Sequence, residues 1–212
     1  MQNVLVVLAA FLVGSVSFGI ALSRVFGMAD PRSYGSGNPG ATNVLRSGRK
    51  LVAALTLLGD AGKGWLAVAA AQWWTGQSAL DGVVVPLAGV AVFLGHLYPV
   101  FHGFKGGKGV ATAAGALLGF NLWLGLGTLT TWAAMIAFFR ISSLSALVAA
   151  LFAPFFAFWL FGLRPVLPAV GAIALLLIWR HRENIRRLWA GEEGRVGAKA
   201  SPPPTDPSAD GR

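Results

Sequence analysis

The sequence predicts an all-α, polytopic membrane protein with seven transmembrane helices, its N-terminus outside and its C-terminus cytoplasmic. Three observations predict it. Hydrophobic residues make up 55% of the 212 and charged residues only 12%, more apolar surface than a soluble domain of this length can bury. Uncharged runs cover residues 1–23, 64–80, 82–104, 109–139, 141–163 and 165–179, and a bilayer-crossing helix needs about 20 apolar residues. The basic residues gather on one side only when the run 109–139 is folded into two helices.

The first run carries no charge, and its first basic residue, Arg24, follows the apolar stretch. A signal peptide would carry its basic residues before that stretch, so a retained first helix is expected. The second helix extends back to about Leu51 and takes in Asp60 and Lys63, three residues apart and read most simply as a mutually neutralising pair. Intramembrane charges are otherwise functional candidates. As one helix, the run 109–139 would put the basic segment Arg180–Arg187 outside, against the positive-inside tendency. As a hairpin turning near Asn121, it leaves 15 of the 17 Lys and Arg inside, with Arg164 outside and Lys63 within the second helix. Val110–Phe120 is then short for a full crossing at about 1.5 Å per residue, which calls for local thinning or a partial span. Gly115 and Gly119 suit close helix packing. Residues 1–190 form one transmembrane domain in this reading. Residues 191–212, polar and Pro-rich, form a disordered cytoplasmic tail.

The net charge of +9 follows from this topology rather than from a nucleic-acid partner; the bilayer is the expected surroundings. There is no cysteine, which excludes disulfides, thiol nucleophiles and thiolate metal sites.

Three polar segments then share the cytoplasmic side. The first, Tyr34–Arg46, formally contains GxGxxG at Gly35, Gly37 and Gly40. A dinucleotide site needs a preceding strand; here a membrane helix precedes the segment and Pro39 interrupts it. What remains is a tight loop with Ser36, Asn38, Thr42 and Asn43 as polar handles and Arg46 as a planar fork for phosphate or carboxylate. A bare connecting loop would not need that density of Asn and Gly. The second, Gly95–Thr112, contains GFKGGKG. Its spacing fails the nucleotide P-loop, yet Gly103, Gly106, Gly107 and Gly109 allow close backbone approach to an anion. Lys105 and Lys108 add charge, and the helix after Gly109 presents its positive end. His96 reads equally as a hydrogen-bonded residue at a helix end and as a ligand contact; His102 reads as interfacial. The third, Arg180–Glu193, continues the last helix. His181 and Asn184 share a face, and attraction to anionic lipid accounts for its arginines but not for His181, Glu183 and Asn184. Ser142 and Ser143 open the sixth span as helix caps, at an end that also attracts anions.

Together these segments resemble the bacterial acyl-phosphate:glycerol-3-phosphate acyltransferase family. GSGNPGATNVLR at 35–46 matches that family's first motif, and GHLYPVFHGFKGGKGVAT at 95–112 its second. HRENIRRLWAGEE at 181–193 matches the third at His181, Asn184, Ile185, Arg187, Leu188, Gly191 and Glu193. The order is kept and no motif position departs. The resemblance implies an inner-membrane enzyme with seven helices and cytoplasmic motifs. It would transfer a fatty acyl group from acyl phosphate to the 1-hydroxyl of glycerol 3-phosphate, giving lysophosphatidic acid and phosphate.

On that reading the site needs cations and N–H donors more than a nucleophile, because both substrates carry phosphate and the donor is already activated. Ser36, Arg46, Lys105, Lys108 and Ser143 are the expected phosphate contacts; His181, Glu183 and Asn184 orient hydroxyls or the acyl phosphate. None of the three histidines is followed by an Asp at the spacing that other glycerolipid acyltransferases use. The base is then either His181 or a substrate phosphate dianion, whose second pKa is about 6, and the second needs only positioning. No cofactor or metal is expected, since acidic ligands are few near the motifs, and a monomer is expected. A transporter for a phosphorylated metabolite is the competing class, but the outer halves of the spans are apolar and no repeat is visible. A membrane anchor for soluble partners leaves the Gly and Asn clustering unexplained.

Overall fold

A computed structural model describes residues 1–196. Among them are ten α-helices, two single 3₁₀ turns and no strand. The helices are α1 (Gln2–Gly14), α2 (Phe18–Val25), α3 (Ala41–Arg46), α4 (Lys50–Thr75), α5 (Val84–Leu97), α6 (Val110–Phe120), α7 (Leu122–Phe139), α8 (Ser142–Phe161), α9 (Val166–Arg180) and α10 (Arg182–Trp189).

Four stretches are long and apolar enough to cross a membrane by themselves: α4, α5 with its following 3₁₀ turn, α7 and α8. A fifth is the α1–α2 pair, bent by 44°. Large apolar side chains cover the outside of the bundle, with Trp73, Trp159 and Leu163 each more than 70% exposed. In water that surface would be costly; against lipid chains it is the expected one. The chain is therefore built as an integral membrane protein. The helices α6 and α9, at 11 and 15 residues, are short of a full span.

The first span differs from the unbroken helix expected over 1–23. It breaks at Ser15–Ser17, where the helix loses its ladder and must hand its last carbonyls to other donors. Ser15 Oγ donates to Phe11 O (3.0 Å), and Lys63 Nζ donates to Val16 O (2.5 Å). The second span begins at Lys50 and carries both Asp60 and Lys63, as expected. The run 109–139 is two helices, and Asn121 divides them: its Oδ1 accepts from the amides of Trp123 and Leu124, capping α7. A side chain at Gly125 would strike Leu118, so the chain folds back on itself there.

Glycine sets how closely α6 approaches α4. A Cβ at Gly115 would fall on the carbonyl of Ala61, one at Gly64 on that of Thr112, and one at Gly119 on Val68. Without side chains at these points the two backbones touch, which is how membrane helices gain packing where no hydrophobic driving force exists. Gly64 meets Thr112, and further along both helices Gln72 Nε2 donates to Gly119 O (3.0 Å), so α4 and α6 run parallel. The core beneath is alanine- and valine-rich, with Phe93, Leu97 and Leu124 fully buried.

Beyond α10 the described chain runs on through Val196. Its amide donates to Arg140 O (2.7 Å), so residues 191–196, expected to open a disordered tail, pack back on the body. The rest of that expected tail, 197–212, lies outside the described residues.

Candidate active site

One cavity of about 1230 Å³ opens where the three polar segments meet. Its walls come from the loop before α3, the N-terminal ends of α6 and α8, and the α9–α10 junction. The strap 192–196 lies over it.

The first loop is shaped by Asn43, 1% exposed. Its Nδ2 donates to Pro31 O (2.7 Å) and Tyr34 O (3.1 Å), and its Oδ1 accepts from the Ser36 amide (2.9 Å). These three bonds make Asn43 a brace for the loop, and it also lines the cavity. Gly35 is obligatory here: its φ is +58°, and a Cβ would strike Asn43 Oδ1. The result presents Ser36, Asn38, Gly40, Thr42 and Arg46 to the cavity, while Gly37 lies off its wall. Thr42 Oγ1 is 3.3 Å from Ser142 Oγ, which ties this loop to the start of α8.

The second segment divides. Gly103 and Lys105 are exposed and lie off the cavity wall, and so do Gly106 and Gly107. Lys105, expected as a principal cation, is not among the lining side chains; the turn after Gly103 carries it outward. Gly106 and Gly107 act through their backbone instead, as both carbonyls accept from Arg180 Nη2 (3.0 Å each), and the Gly107 amide donates to His96 O (3.2 Å). Lys108 and Gly109 do reach the cavity. Gly109 caps α6 at φ +82° with Phe93 and Leu97 filling the space a Cβ would take. Burial pushes the Lys108 ammonium below its ordinary pKa, opposed by the charge of Glu193.

His96 lies at the cavity's inner end. Its Nδ1 is 2.9 Å from Lys63 Nζ, 3.2 Å from Thr112 Oγ1 and 3.6 Å from Asp60 Oδ1. Lys63 and Asp60 pair at 2.9 Å. The neutralising pair expected inside the second helix is therefore a three-residue network, and His96 belongs to it as well as to the wall. His102 lies away from the cavity.

The third segment supplies two further buried polar groups, His181 and Asn184. His181, 2% exposed, places Nδ1 2.8 Å from Leu177 O. A carbonyl only accepts, so Nδ1 carries the proton and Nε2 is left as an acceptor. Burial pushes this imidazole down to about 4; it is neutral at pH 7. Asn184 accepts from Lys108 Nζ through Oδ1. Its Nδ2 donates to Glu193 Oε1 (2.6 Å), which also accepts from Ser143 Oγ (2.7 Å); Arg187 Nε donates to Glu193 Oε2 (2.7 Å). Burial alone would raise the Glu193 carboxyl, but hydrogen bonds from Ser143, Asn184 and Arg187 hold it below its ordinary value. Glu183 is exposed at the rim.

Arg187 and Glu193 line the cavity and Arg180 holds the loop beside it, and the sequence reading left all three out of the site. Arg187 and Glu193 stood in the third motif, but nothing local in the sequence joins Glu193 to Ser143, 50 residues away. Arg180 looked like one more topogenic arginine.

The mouth thus gathers Arg46, Lys108 and Arg187 with the positive ends of α6 and α8. Below it the cavity turns apolar, between Ala113–Leu118 of α6, Trp132 of α7, Ala146–Ala153 of α8 and Val170–Leu177 of α9. An anionic head and a long apolar chain fit such a space together.

The family model described as Glycerol-3-phosphate acyltransferase matches residues 4–191. This chain belongs to that family. A glycerol-3-phosphate acyltransferase of Ralstonia pickettii (strain 12J) is 60% identical over 197 residues, covering 93% of this chain and 95% of that protein. One of Thiobacillus denitrificans is 56% identical over 200 residues, covering 94% and 100%. Among solved structures, PlsY (YgiH), an integral membrane glycerol 3-phosphate acyltransferase, matches in its glycerol 3-phosphate form. Its TM-score is 0.87, with 38% identity over 93% of this chain and 96% of that one. The lysophosphatidic acid form matches with a TM-score of 0.84 and 37% identity, covering 92% and 95%. Family membership fixes this chain as an acyltransferase of the membrane, and its described residues are all-helical as expected.

Proposed function

We propose that this acyltransferase uses an acyl phosphate as donor and glycerol 3-phosphate as acceptor, on the cytoplasmic face of the bacterial inner membrane. The observation that carries the reading is a continuous cavity with a cationic mouth and an apolar arm. Two phosphates sit at the mouth in reach of Arg46, Lys108, Arg187, Ser36 and the positive ends of α6 and α8. Lys105, on the outer turn of the same loop, adds to the positive field that draws them in. The acyl chain lies in the apolar arm. In this reading α6 and α9 also cross, α6 by a thinned stretch, which gives seven crossings, the N-terminus outside, and one catalytic domain in a monomer.

The 1-hydroxyl oxygen attacks the acyl carbonyl carbon. The new ester C–O bond forms, the C–O bond to phosphate breaks, and phosphate leaves with the electron pair. Helix ends and cations stabilise the developing oxyanion and the leaving group. The hydroxyl proton passes to a phosphate dianion of the substrates, with a second pKa of about 6. His181 is the weaker base, because a group held near 4 is far from the operating pH that favours proton abstraction. Its neutral Nε2 serves better as an acceptor that orients the hydroxyl.

Purified protein, given palmitoyl phosphate and labelled glycerol 3-phosphate, is expected to release phosphate and form labelled lysophosphatidate. Palmitoyl-CoA in place of the acyl phosphate is expected to give none. Turnover with the thioester alone would overturn the donor assignment, and no product from either donor would overturn the enzymatic reading.

A further inference from the structure

The backbone of the second loop is held by a residue outside the cavity. Arg180 ends α9 one position before His181, and its Nη2 donates to Gly106 O and Gly107 O, both at 3.0 Å. Its guanidinium also lies 5.8 Å from the Tyr98 ring centroid, a cation–π position. Arg180 does not reach the cavity, and neither do Gly106 and Gly107, whereas Lys108 and Gly109 do.

A trans peptide points its N–H opposite to its C=O. With Gly106 O and Gly107 O turned to Arg180, the amides of Gly107 and Lys108 must face the other way. The Gly107 amide is taken by His96 O (3.2 Å). The Lys108 amide faces away from Arg180 at the point where the chain enters the cavity wall. Four residues after Arg180, Asn184 accepts from the Lys108 ammonium. One short stretch of chain thus sets both the backbone and the side chain of Lys108.

We propose that Arg180 is a positioning residue for phosphate binding: it clamps the Gly106–Gly107 carbonyls so that the Lys108 amide and ammonium face the substrate. Both bonds come from the one Nη2, whose two N–H bonds are fixed in the guanidinium plane while that group also lies over the Tyr98 ring. A lysine ammonium carries the same charge but is a freely rotating point donor with no planar face for the ring. An arginine serving only topology or lipid contact would be replaced by lysine without effect. The proposal rests on the glycerol 3-phosphate reading above.

The test compares wild type, Arg180→Lys and Arg180→Ala in detergent. Binding of glycerol 3-phosphate and of inorganic phosphate is followed by calorimetry, and turnover by lysophosphatidate formation. Both variants are expected to raise Kd and KM for phosphate ligands by about tenfold or more, the loss of one or two charge-assisted hydrogen bonds. Their kcat is expected to change by less than about threefold, because Arg180 touches no reacting atom. Methylguanidinium is expected to restore Arg180→Ala, and methylammonium is not. An Arg180→Lys protein with wild-type Kd and KM overturns the clamp, as does equal rescue by both cations. Should Arg180→Ala fail to fold, Arg180→Lys decides alone. Wild-type protein that binds glycerol 3-phosphate but makes no lysophosphatidate counts against the donor assignment, while the Kd comparison still decides the clamp.

Discussion

The side-chain amide of Asn184 donates to the Glu193 carboxylate at 2.6 Å while its oxygen accepts from the Lys108 ammonium. One uncharged side chain thus stands between a cation and an anion and separates them. Without it, Lys108 and Glu193 would pair directly, and the ammonium would be drawn from the cavity into a closed ion pair. Asn184→Ala removes both bonds, each charge-assisted and worth about 1.5–3 kcal/mol. We expect kcat/KM to fall by about 100-fold or more, with the protein folded. Asn184→Asp should do no better, because it sets a second carboxylate beside Glu193. Steady-state kinetics on both variants check this; activity near wild type in Asn184→Asp would rule out the spacer role.

His181 gives a pH signature. Its folded value, about 4, lies below the ordinary 6.5. Between those values the unfolded chain takes up a proton that the folded chain refuses. Its contribution is full above pH 6.5 and is lost as pH falls through 6.5 toward 4. The shift corresponds to about 3 kcal/mol at the upper end. His181→Gln can keep a donor on Leu177 O and does not titrate. Thermal unfolding in detergent at pH 5 and 7.5 is expected to show a larger loss for wild type than for the variant. His181→Gln should also retain substantial turnover, since the proton goes to a phosphate. Full loss of turnover with binding intact would make His181 the base.

The motif residues were legible because their chemistry is local: glycines that permit tight turns, a lysine entering a helix end, and a His and Asn on one helical face. The fold-back at Asn121 was legible from charge alone, because only that turn keeps the basic residues on one side. What the sequence hides is the division of labour inside a motif. Lys105 and Lys108 look equivalent in GFKGGKG, yet the backbone turn sends one outward and the other to Asn184. Asn43 looks like a ligand contact, and its three bonds to the loop backbone make it a brace. Glu193 follows a helix end in polar sequence that reads as a tail; only the packing of α8 against α9 brings Ser143 to it. The break in the first span is equally long-range, since the carbonyl it frees is taken by a lysine 47 residues away.

That lysine carries a third expectation. Lys63 pairs with Asp60 at 2.9 Å, and both are at most 3% exposed. Breaking a buried pair by removing one partner costs about 3–5 kcal/mol, because the other charge stays buried and unpaired. Lys63→Met should cost that much and also leave Val16 O without its donor. Asp60→Asn should cost a similar amount. The double variant, with no charge left to strand, is expected to be less destabilised than the sum of the two. Unfolding curves for the four proteins form the cycle, and additive losses would show that the two residues are not coupled.

The helix contacts make the last expectation. A methyl group at Gly115 would fall on the Ala61 carbonyl and lie 3.0 Å from the Trp65 amide, both backbone atoms of α4. Neither can rotate away, so α6 itself must move. Overpacking of this kind costs about 1–3 kcal/mol. Because α6 carries Gly109 and Lys108 at its N-terminal end, the displacement should reach the cavity, and Gly115→Ala should lose activity along with stability. Gly171, in the middle of α9, has nothing within 4 Å of a Cβ. There the same substitution meets no obstacle and improves helix propensity, so Gly171→Ala should be neutral or more stable by up to about 1 kcal/mol. Melting temperature and turnover, measured side by side for the two variants, separate close helix contact from glycine content. Equal destabilisation by both would remove the argument that α6 is placed by its glycines.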